Sequence, residues 1–201
     1  MDDNYEIEIK YLLRDFNKND FTTKFFKENF NDLNDLISKI KLYGNNYSQY
    51  YLNSSIAKIE AKKRKISNPS EFKTIRIRKI EYVSKDKNKI EYILTLKSKT
   101  DGLKRREYEY QLKKEEFDIY LRKSKFGIKK KRFLLVHPQN SLLNIEFDLF
   151  LGNKEKSLNN IILAEVEADS ESKLKILSPL GLDVSNNFIY SNSSLAKLNK
   201  K

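Results

Sequence analysis

Charged residues of the same sign recur two positions apart along this chain, inside short segments that are otherwise apolar. The segment 74–83 places Arg76 and Arg78 between isoleucines, and a later segment places Glu165 and Glu167 on either side of a valine. Alternation with a period of two is typical of a β-strand, whose successive side chains point to opposite faces. Segments of this kind cover residues 5–12, 74–83, 90–99, 105–112, 130–136, 143–151 and 161–168.

The rest of the chain has helical periodicity or no periodicity. Between 21 and 43, apolar residues recur every three or four positions, and Gly44 is expected to end that helix. Lys113 to Phe126 forms a second amphipathic segment that ends before Gly127. Shorter helices are predicted over 170–178 and 193–199, a hairpin turn over 100–102, and a polar connection or mobile loop over 53–73.

The order of these segments predicts the fold class. No internal repeat and no linker divides the 201 residues, so we expect one domain over 1–201. Many short strands with a few covering helices are typical of an antiparallel α+β protein.

The composition excludes several common kinds of active site. With no Cys, the chain cannot form a disulfide, a thiolate zinc site or a cysteine nucleophile, and its one histidine, His137, is expected to be an ordinary residue at a strand end. Its five glycines do not form a Gly-rich phosphate loop. The acidic start lacks a signal-peptide core and no apolar run could cross a bilayer, so we expect a soluble cytoplasmic protein with no membrane partner. A net charge of +12 indicates a polyanionic partner.

The same-sign pairs predict a charged interior. A single pair is more typical of a solvated strand face, but seven pairs in one domain favour a shared location, because same-sign neighbours on a solvent-facing strand repel each other without benefit. A barrel of about eight strands can hold one small ligand. Burying so many charges is favourable only if they neutralise one another, a metal ion and a polyanion. The apolar faces would then pack outward against the helices at 21–43 and 114–126. The pairs are Glu6/Glu8, Glu107/Glu109, Glu146/Asp148, Glu165/Glu167, Arg76/Arg78, Lys97/Lys99 and Lys130/Arg132, with Lys10 and Arg105 each continuing an acidic row.

These residue types suit a metal-bound oligophosphate. Mg²⁺ and Mn²⁺ are hard ions that prefer carboxylate oxygens. Arg and Lys are the side chains that bind phosphate oxygens. Transfer of a phosphoryl group then needs mainly positioning, charge neutralisation and an oriented water.

The motifs resemble one known family. Glu6-x-Glu8-x-Lys10 is similar to the ExExK signature of the CYTH superfamily, the triphosphate tunnel metalloenzymes. Six further segments resemble the family's motifs in the family's order, over nearly the whole chain. They are Arg76-x-Arg78, Thr95-x-Lys97-x-Lys99, Arg105-x-Glu107-Tyr108-Glu109, Lys130-x-Arg132-Phe133, Glu146-x-Asp148 and Leu163-Ala164-Glu165-Val166-Glu167, and Tyr190-Ser191-Asn192 with Leu195-Ala196 echoes the bacterial C-terminal segment.

The resemblance implies an eight-stranded antiparallel tunnel with covering helices and assigns roles by motif. The metal ions, Mg²⁺ or Mn²⁺, would be held by Glu6, Glu8, Glu165 and Glu167, with Glu146 and Asp148 available for a second ion or for orienting the attacking water. The phosphates would contact Lys10, Arg76, Arg78, Lys97, Lys99, Lys130 and Arg132. Glu107 and Glu109 would balance these cations or act as a general base, and Lys97 is also a catalytic candidate.

Four departures from the family pattern lie outside the paired strands, and one of them is an extended first helix region. The segment Gln49-Tyr50-Tyr51-Leu52 resembles the family's QGYL with Tyr50 in place of glycine, and Tyr51 is expected near the tunnel mouth. Ile189 stands where an arginine is common, and 53–73 is longer than in compact bacterial members. These changes leave the substrate open.

The resemblance favours hydrolysis of inorganic triphosphate to pyrophosphate and phosphate. Hydrolysis of a nucleoside, RNA 5′- or thiamine triphosphate, and adenylate cyclisation, stay open on the same fold, as do a monomer and a homodimer. A non-enzymatic polyphosphate- or RNA-binding module is the alternative from another class, based on the basic runs 62–65 and 129–132. It is less favoured because a nucleic-acid surface has no use for paired glutamates, and because alternation places Lys130 and Lys131 on opposite faces.

Overall fold

The computed structural model describes residues 5–13, 44–83, 89–99, 101, 103–137, 140–151, 158, 161–168 and 181–199. The predicted helices at 21–43 and 170–178 lie outside the described residues, as do two of the three residues of the predicted turn at 100–102. None of the helices within the described ranges has the length and apolar character needed to cross a membrane.

Nine strands form one antiparallel sheet in this part of the chain. In space they follow the order β5-β4-β3-β2-β6-β7-β8-β1-β9, and β5 also pairs with β1, so that eight strands close into a ring. This confirms the predicted eight-stranded antiparallel barrel of the α+β class. The strands are β1 (Tyr5–Leu13), β2 (Gly44–Tyr51), β3 (Phe72–Glu81), β4 (Ile90–Ser98), β5 (Lys104–Gln111), β6 (Phe126–His137), β7 (Asn140–Leu151), β8 (Ile162–Ala168) and the two-residue β9 (Leu182–Asp183).

The alternation predicted seven of the ring strands but not β2. This strand joins β3 to β6, yet its apolar and polar residues do not alternate clearly, because Tyr47, Gln49 and Tyr51 on one face are aromatic or uncharged. The predicted hairpin is confirmed as far as the described residues extend, since β4 and β5 pair directly and Asp101 bridges to Lys104.

Three α-helices lie in the described residues: α1 (Ser54–Lys63), α2 (Lys114–Arg122) and α3 (Asn192–Leu198), with short 3-10 helices at Pro69–Glu71 and Phe188–Tyr190. The helix predicted near the C-terminus is confirmed as α3. The helix predicted over 113–126 ends four residues early, at Arg122, because Phe126 starts β6 and stacks on Tyr51.

The prediction of a loop over 53–73 is wrong, because this segment contains α1 and the start of β3. The Asn53 side chain accepts a hydrogen bond from the backbone N–H of Ser55 and caps the helix. The buried side of α1 consists of Ala57, Glu60 and Ala61, which is too small and too polar to produce a recognisable apolar stripe.

An outer core lies between the barrel and the first two helices. Ile75 and Ile77 of β3 and Leu94 and Leu96 of β4 pack with Phe117 of α2 on the outside of the sheet. This confirms that the apolar strand faces point outward against the helix predicted near 114–126. Arg76 and Arg78 alternate with these isoleucines and therefore point into the barrel.

A second apolar cluster closes the barrel interior at one end. Phe150 and Leu163 point inward just beyond the charged pairs of β7 and β8, and together with Tyr51 of β2 they pack against Leu195 and Ala196 of α3. These residues are at most 4% exposed. The charged part of the tunnel therefore ends on an apolar plug covered by α3.

A charged tunnel as the candidate active site

The barrel interior holds a cavity of about 300 Å³ whose lining is almost entirely charged. Eleven of the twelve lining residues carry a charge, five basic and six acidic, although the whole chain has a net charge of +12. Most of them belong to the predicted same-sign pairs. The lining consists of Glu8, Arg76, Arg78, Lys97, Arg105, Glu107, Glu109, Arg132, Glu146, Glu165, Glu167 and Asn192.

One side of the tunnel, which we call the sealed wall, consists of Lys130, Arg132, Asp148 and Glu165 on β6, β7 and β8. Arg132 donates to both oxygens of Asp148 at 2.6 Å and to Glu165 at 2.8 Å. Lys130 forms a second ion pair with Asp148, and both of these side chains are fully buried. The sealed wall is therefore a network in which each charge already has a partner.

Burial and the neighbouring charges shift the pKa values of this wall. Loss of water and the nearby Arg132 lower the pKa of Lys130 to about 8, against the opposing effect of Asp148. Glu165 is also buried, but Lys10, Lys130 and Arg132 overcome that burial and hold its pKa well below the ordinary value.

Glu146 lies beside the sealed wall, and its pKa is shifted in the opposite direction to that of Glu165. It forms an ion pair with Arg132, yet burial and the adjacent Glu165 and Asp148 raise its pKa. A carboxylate with a raised pKa accepts a proton more readily near neutral pH.

An acidic cluster lies where β1 meets β8. One carboxylate oxygen each from Glu8, Glu165 and Glu167 lie within 4.8 Å of one another. Lys10 bridges two of them, with its ammonium 2.7 Å from Glu8 and 2.9 Å from Glu165. Glu6 precedes Glu8 by two residues on the same strand, and its side chain lies outside the described residues.

The opposite side of the tunnel, which we call the open wall, consists of Arg76, Arg78, Lys97, Glu107 and Glu109 on β3, β4 and β5. Arg78 donates to Glu109 at 2.8 Å, and Lys97 forms an ion pair with Glu107. Glu109 is 40% exposed, whereas the side chain of Asp148 is fully buried. Although partial burial opposes it, Arg78 and Arg76 lower the pKa of Glu109.

The tunnel cavity is not lined by five of the predicted site residues in the described part of the chain, namely Lys10, Tyr51, Lys99, Lys130 and Asp148. Lys99 follows the end of β4 and is exposed, with its backbone N–H bonded to Glu71. Tyr51, expected near the mouth, belongs to the apolar plug. Lys130 and Lys131 do point to opposite faces, since the first is fully buried beside Asp148 and the second lies over the ring of Phe133.

Sequence reasoning left three tunnel residues without a role. Arg105 donates to Glu8 at 2.8 Å, and Asn192 at the start of α3 donates to Glu165 at 3.1 Å. The ring of Tyr47 lies between Arg78 and Arg132, with their guanidinium carbons 5.5 and 5.4 Å from its centroid. Recognition of β2 as a strand would have found Tyr47, because it has the same parity as Gln49 and Tyr51.

Comparison with known proteins supports the architecture. No protein-family model and no curated protein matches the chain. Among solved structures, the PH1819 protein from Pyrococcus horikoshii OT3 is similar, with a TM-score of 0.50 and 18% identity over 88% of this chain and 90% of that chain. The ring of eight antiparallel strands around a charged tunnel agrees with this likeness. The likeness covers the fold of the chain, an eight-stranded antiparallel barrel.

Two further solved structures are similar to this chain. The PH1012 protein from Pyrococcus horikoshii OT3 has a TM-score of 0.49 and 17% identity over 85% of this chain and 84% of that chain. HpAC1 from Hippeastrum, a putative adenylyl cyclase described as having a dominant triphosphatase activity, has a TM-score of 0.49 and 11% identity over 98% of this chain and 96% of that chain.

Proposed function

We propose that this chain is a CYTH-superfamily hydrolase that uses Mg²⁺ or Mn²⁺ to cleave a triphosphate, with inorganic tripolyphosphate giving pyrophosphate and phosphate. The charge composition of the tunnel carries the proposal. A cavity with six acidic and five basic side chains does not attract a bare polyanion, but it suits a polyanion that arrives with cations.

The acidic cluster fits a hard divalent cation. Glu8, Glu165 and Glu167 offer three carboxylate oxygens within 4.8 Å, which is the donor type that Mg²⁺ and Mn²⁺ prefer. Glu6 would complete this set on β1, and Asp148 has both oxygens engaged by Lys130 and Arg132. When bound, the ion would neutralise phosphate charge and polarise a phosphoryl oxygen.

The basic residues would hold the phosphate chain. Arg76, Arg78 and Lys97 on the open wall face Arg132 and Arg105 across the same cavity, so one ligand can contact both sides. Each of these cations now pairs with a carboxylate, and phosphate oxygens would replace the carboxylates that are exposed enough to move away. Lys10 would keep Glu8 and Glu165 in place through its ion pairs with both carboxylates.

We assign Glu146 as the general base that receives the proton of the attacking water. It lines the cavity, and its raised pKa suits a base that works near neutral pH. The water oxygen attacks a terminal phosphorus, its proton goes to Glu146, and the bond between that phosphorus and the bridging oxygen breaks to release pyrophosphate. Glu107 and Glu109 balance the cations of the open wall in the free protein, where Glu107 pairs with Lys97 and Glu109 with Arg76.

A phosphate-release assay with tripolyphosphate tests this function. We expect turnover with Mg²⁺ or Mn²⁺, none with a chelator, and at least a hundredfold loss in Glu8→Gln, which removes one charge from the acidic cluster. Glu115→Gln on the exposed side of α2 is the matched control and should keep wild-type activity. Full activity in Glu8→Gln would refute the metal assignment, and binding of polyphosphate without turnover would favour the non-enzymatic module.

A further inference from the structure

One edge of β1 changes partner halfway along the strand, while the other edge pairs with β8. Its first residues pair with β5 over only Tyr5, Glu6 and Ile7, and its later residues Tyr11 and Leu12 pair with β9. Between these two partners, the backbone N–H of Lys10 donates to the side chain of Ser185 at 2.9 Å instead of to a neighbouring strand. The backbone pairing along this edge of β1 is therefore interrupted between β5 and β9.

A second cavity of about 450 Å³ lies beside this interruption, and we call it the side chamber. Its inner side consists of Glu8, Lys10 and Arg105, and its outer side of residues 184–188 with Ser191. Glu8 and Arg105 also line the tunnel cavity, and their charged groups are 2.8 Å apart. The Glu8–Arg105 ion pair therefore separates the tunnel from the side chamber.

The outer side of the chamber differs chemically from the tunnel. Residues 184–191 include no charged side chain, whereas eleven of the twelve residues that line the tunnel are charged. Phe188 presents a ring that is 78% exposed, and Asn186 and Asn187 supply amide groups next to it. The Asn187 oxygen accepts from the backbone N–H of Ile189, which fixes the amide so that its NH₂ group is the part free to donate elsewhere.

This combination suits an uncharged ring system with polar edges. An exposed aromatic ring stacks on a planar heterocycle, and such stacking contributes about 1–3 kcal/mol per base in proteins that bind single-stranded nucleic acids. Side-chain amides bind the edges of such rings and sugar hydroxyls. Phosphate groups, by contrast, would bind where most of the cations lie, and Arg76, Arg78, Lys97 and Arg132 are all on the tunnel side of the Glu8–Arg105 pair.

We propose that the side chamber binds the organic group of a triphosphate monoester, with its heterocycle stacked on Phe188, while the phosphate chain lies in the tunnel. This inference rests on the proposed function and adds to it, because tripolyphosphate needs only the tunnel. A nucleoside triphosphate has the required chemistry, and its ester end would pass the Glu8–Arg105 pair.

The experiment measures binding and turnover separately. Binding of adenosine 5′-(β,γ-methylene)triphosphate is measured by calorimetry, and turnover of tripolyphosphate by phosphate release, for the wild type, Phe188→Ala and Ile189→Ala. Ile189 is the matched control because it is also exposed, at 51%, and does not line the chamber. We expect Phe188→Ala to weaken binding of the analogue about tenfold, with the KM for tripolyphosphate unchanged and Ile189→Ala without effect on either.

The outcomes distinguish this inference from the proposed function. If Phe188→Ala leaves the affinity for the analogue unchanged, or if Ile189→Ala weakens it equally, the side chamber is not the site. If the wild type cleaves tripolyphosphate but does not bind the analogue, the inference is wrong and the proposed function stands. If the wild type cleaves no triphosphate, the proposed function fails, and calorimetry of Phe188→Ala still decides whether the chamber binds the ring.

Discussion

The sealed wall and the open wall of the tunnel have similar sequence patterns but differ in structure. Each has two basic residues spaced by two, Lys130 and Arg132 on one side and Arg76 and Arg78 on the other. On the sealed wall, the carboxylate that binds them is fully buried, whereas Glu109 on the open wall is 40% exposed. The difference indicates that the sealed wall stabilises the fold, and that the open wall can exchange a carboxylate for a phosphate.

The largest effect is expected from Asp148→Ala on the sealed wall. This change leaves Lys130 and Arg132 buried with one partner fewer each, and removal of one member of a buried ion pair costs about 3–5 kcal/mol. We therefore expect the free energy of unfolding, measured with urea, to fall by that amount.

Glu109→Ala is the comparison variant on the open wall. Because Glu109 is partly exposed and Arg76 keeps Glu107, its loss should cost clearly less than the loss of Asp148, although the buried Arg78 then loses its carboxylate partner. If both variants lose equal stability, the distinction between the two walls is wrong.

The second prediction concerns the pH dependence of the sealed wall. The pKa of Lys130 is about 8 in the folded chain, below the ordinary 10.5, so between these pH values the unfolded chain holds a proton that the folded chain has lost. Stability contributed by this group therefore rises with pH across that window, by about 3 kcal/mol at most.

Unfolding of the wild type and of Lys130→Met at pH 7.5 and pH 10 measures this contribution. The free energy of unfolding of the variant is subtracted from that of the wild type at each pH. This subtraction removes the contributions of the tyrosines and other lysines, which titrate in both proteins. The wild type should gain stability relative to the variant as the pH rises. An unchanged or falling difference would mean that Asp148 keeps Lys130 charged through the whole range.

The third prediction concerns the open wall and ligand binding. Arg78→Ala removes one charge-assisted contact to phosphate, and hydrogen bonds to charged groups contribute about 1.5–3 kcal/mol. We expect the KM for tripolyphosphate to rise at least tenfold, with the free energy of unfolding changed by about 1 kcal/mol or less. Arg122→Ala, at the end of α2, provides the control for loss of an arginine. A variant that unfolds readily but keeps its KM would place Arg78 with the structural residues.

The barrel could be predicted from the sequence because its ring strands carry an alternating signal. The strand that contains Arg76 and Arg78 has an apolar face, which is favourable only when buried, and a charged face, which needs counter-charges. The same holds for the strand that contains Glu165 and Glu167. The segment around Tyr47 lacks this contrast, so alternation does not predict β2.

The difference between the walls could not be predicted in the same way. The surroundings of Glu165 depend on α3, whose Asn192 reaches Glu165 from 27 positions away in the sequence. The side chamber likewise depends on the pairing of β1 with β9, a strand of only two residues. Local periodicity contains no information about contacts of this kind.

The smallest effect is expected at Tyr47, which lies between the two walls. Its ring separates the guanidinium groups of Arg78 and Arg132, which would otherwise repel each other, and each contact of this kind contributes about 0.5–1 kcal/mol. Tyr47→Leu should therefore raise the KM for tripolyphosphate a few-fold while kcat changes less, because the sealed wall keeps Arg132 in place and only Arg78 moves. Tyr47→Phe retains the ring and should behave as the wild type. If Phe is as harmful as Leu, the hydroxyl group rather than the ring is what matters, and the two walls are not coupled through Tyr47.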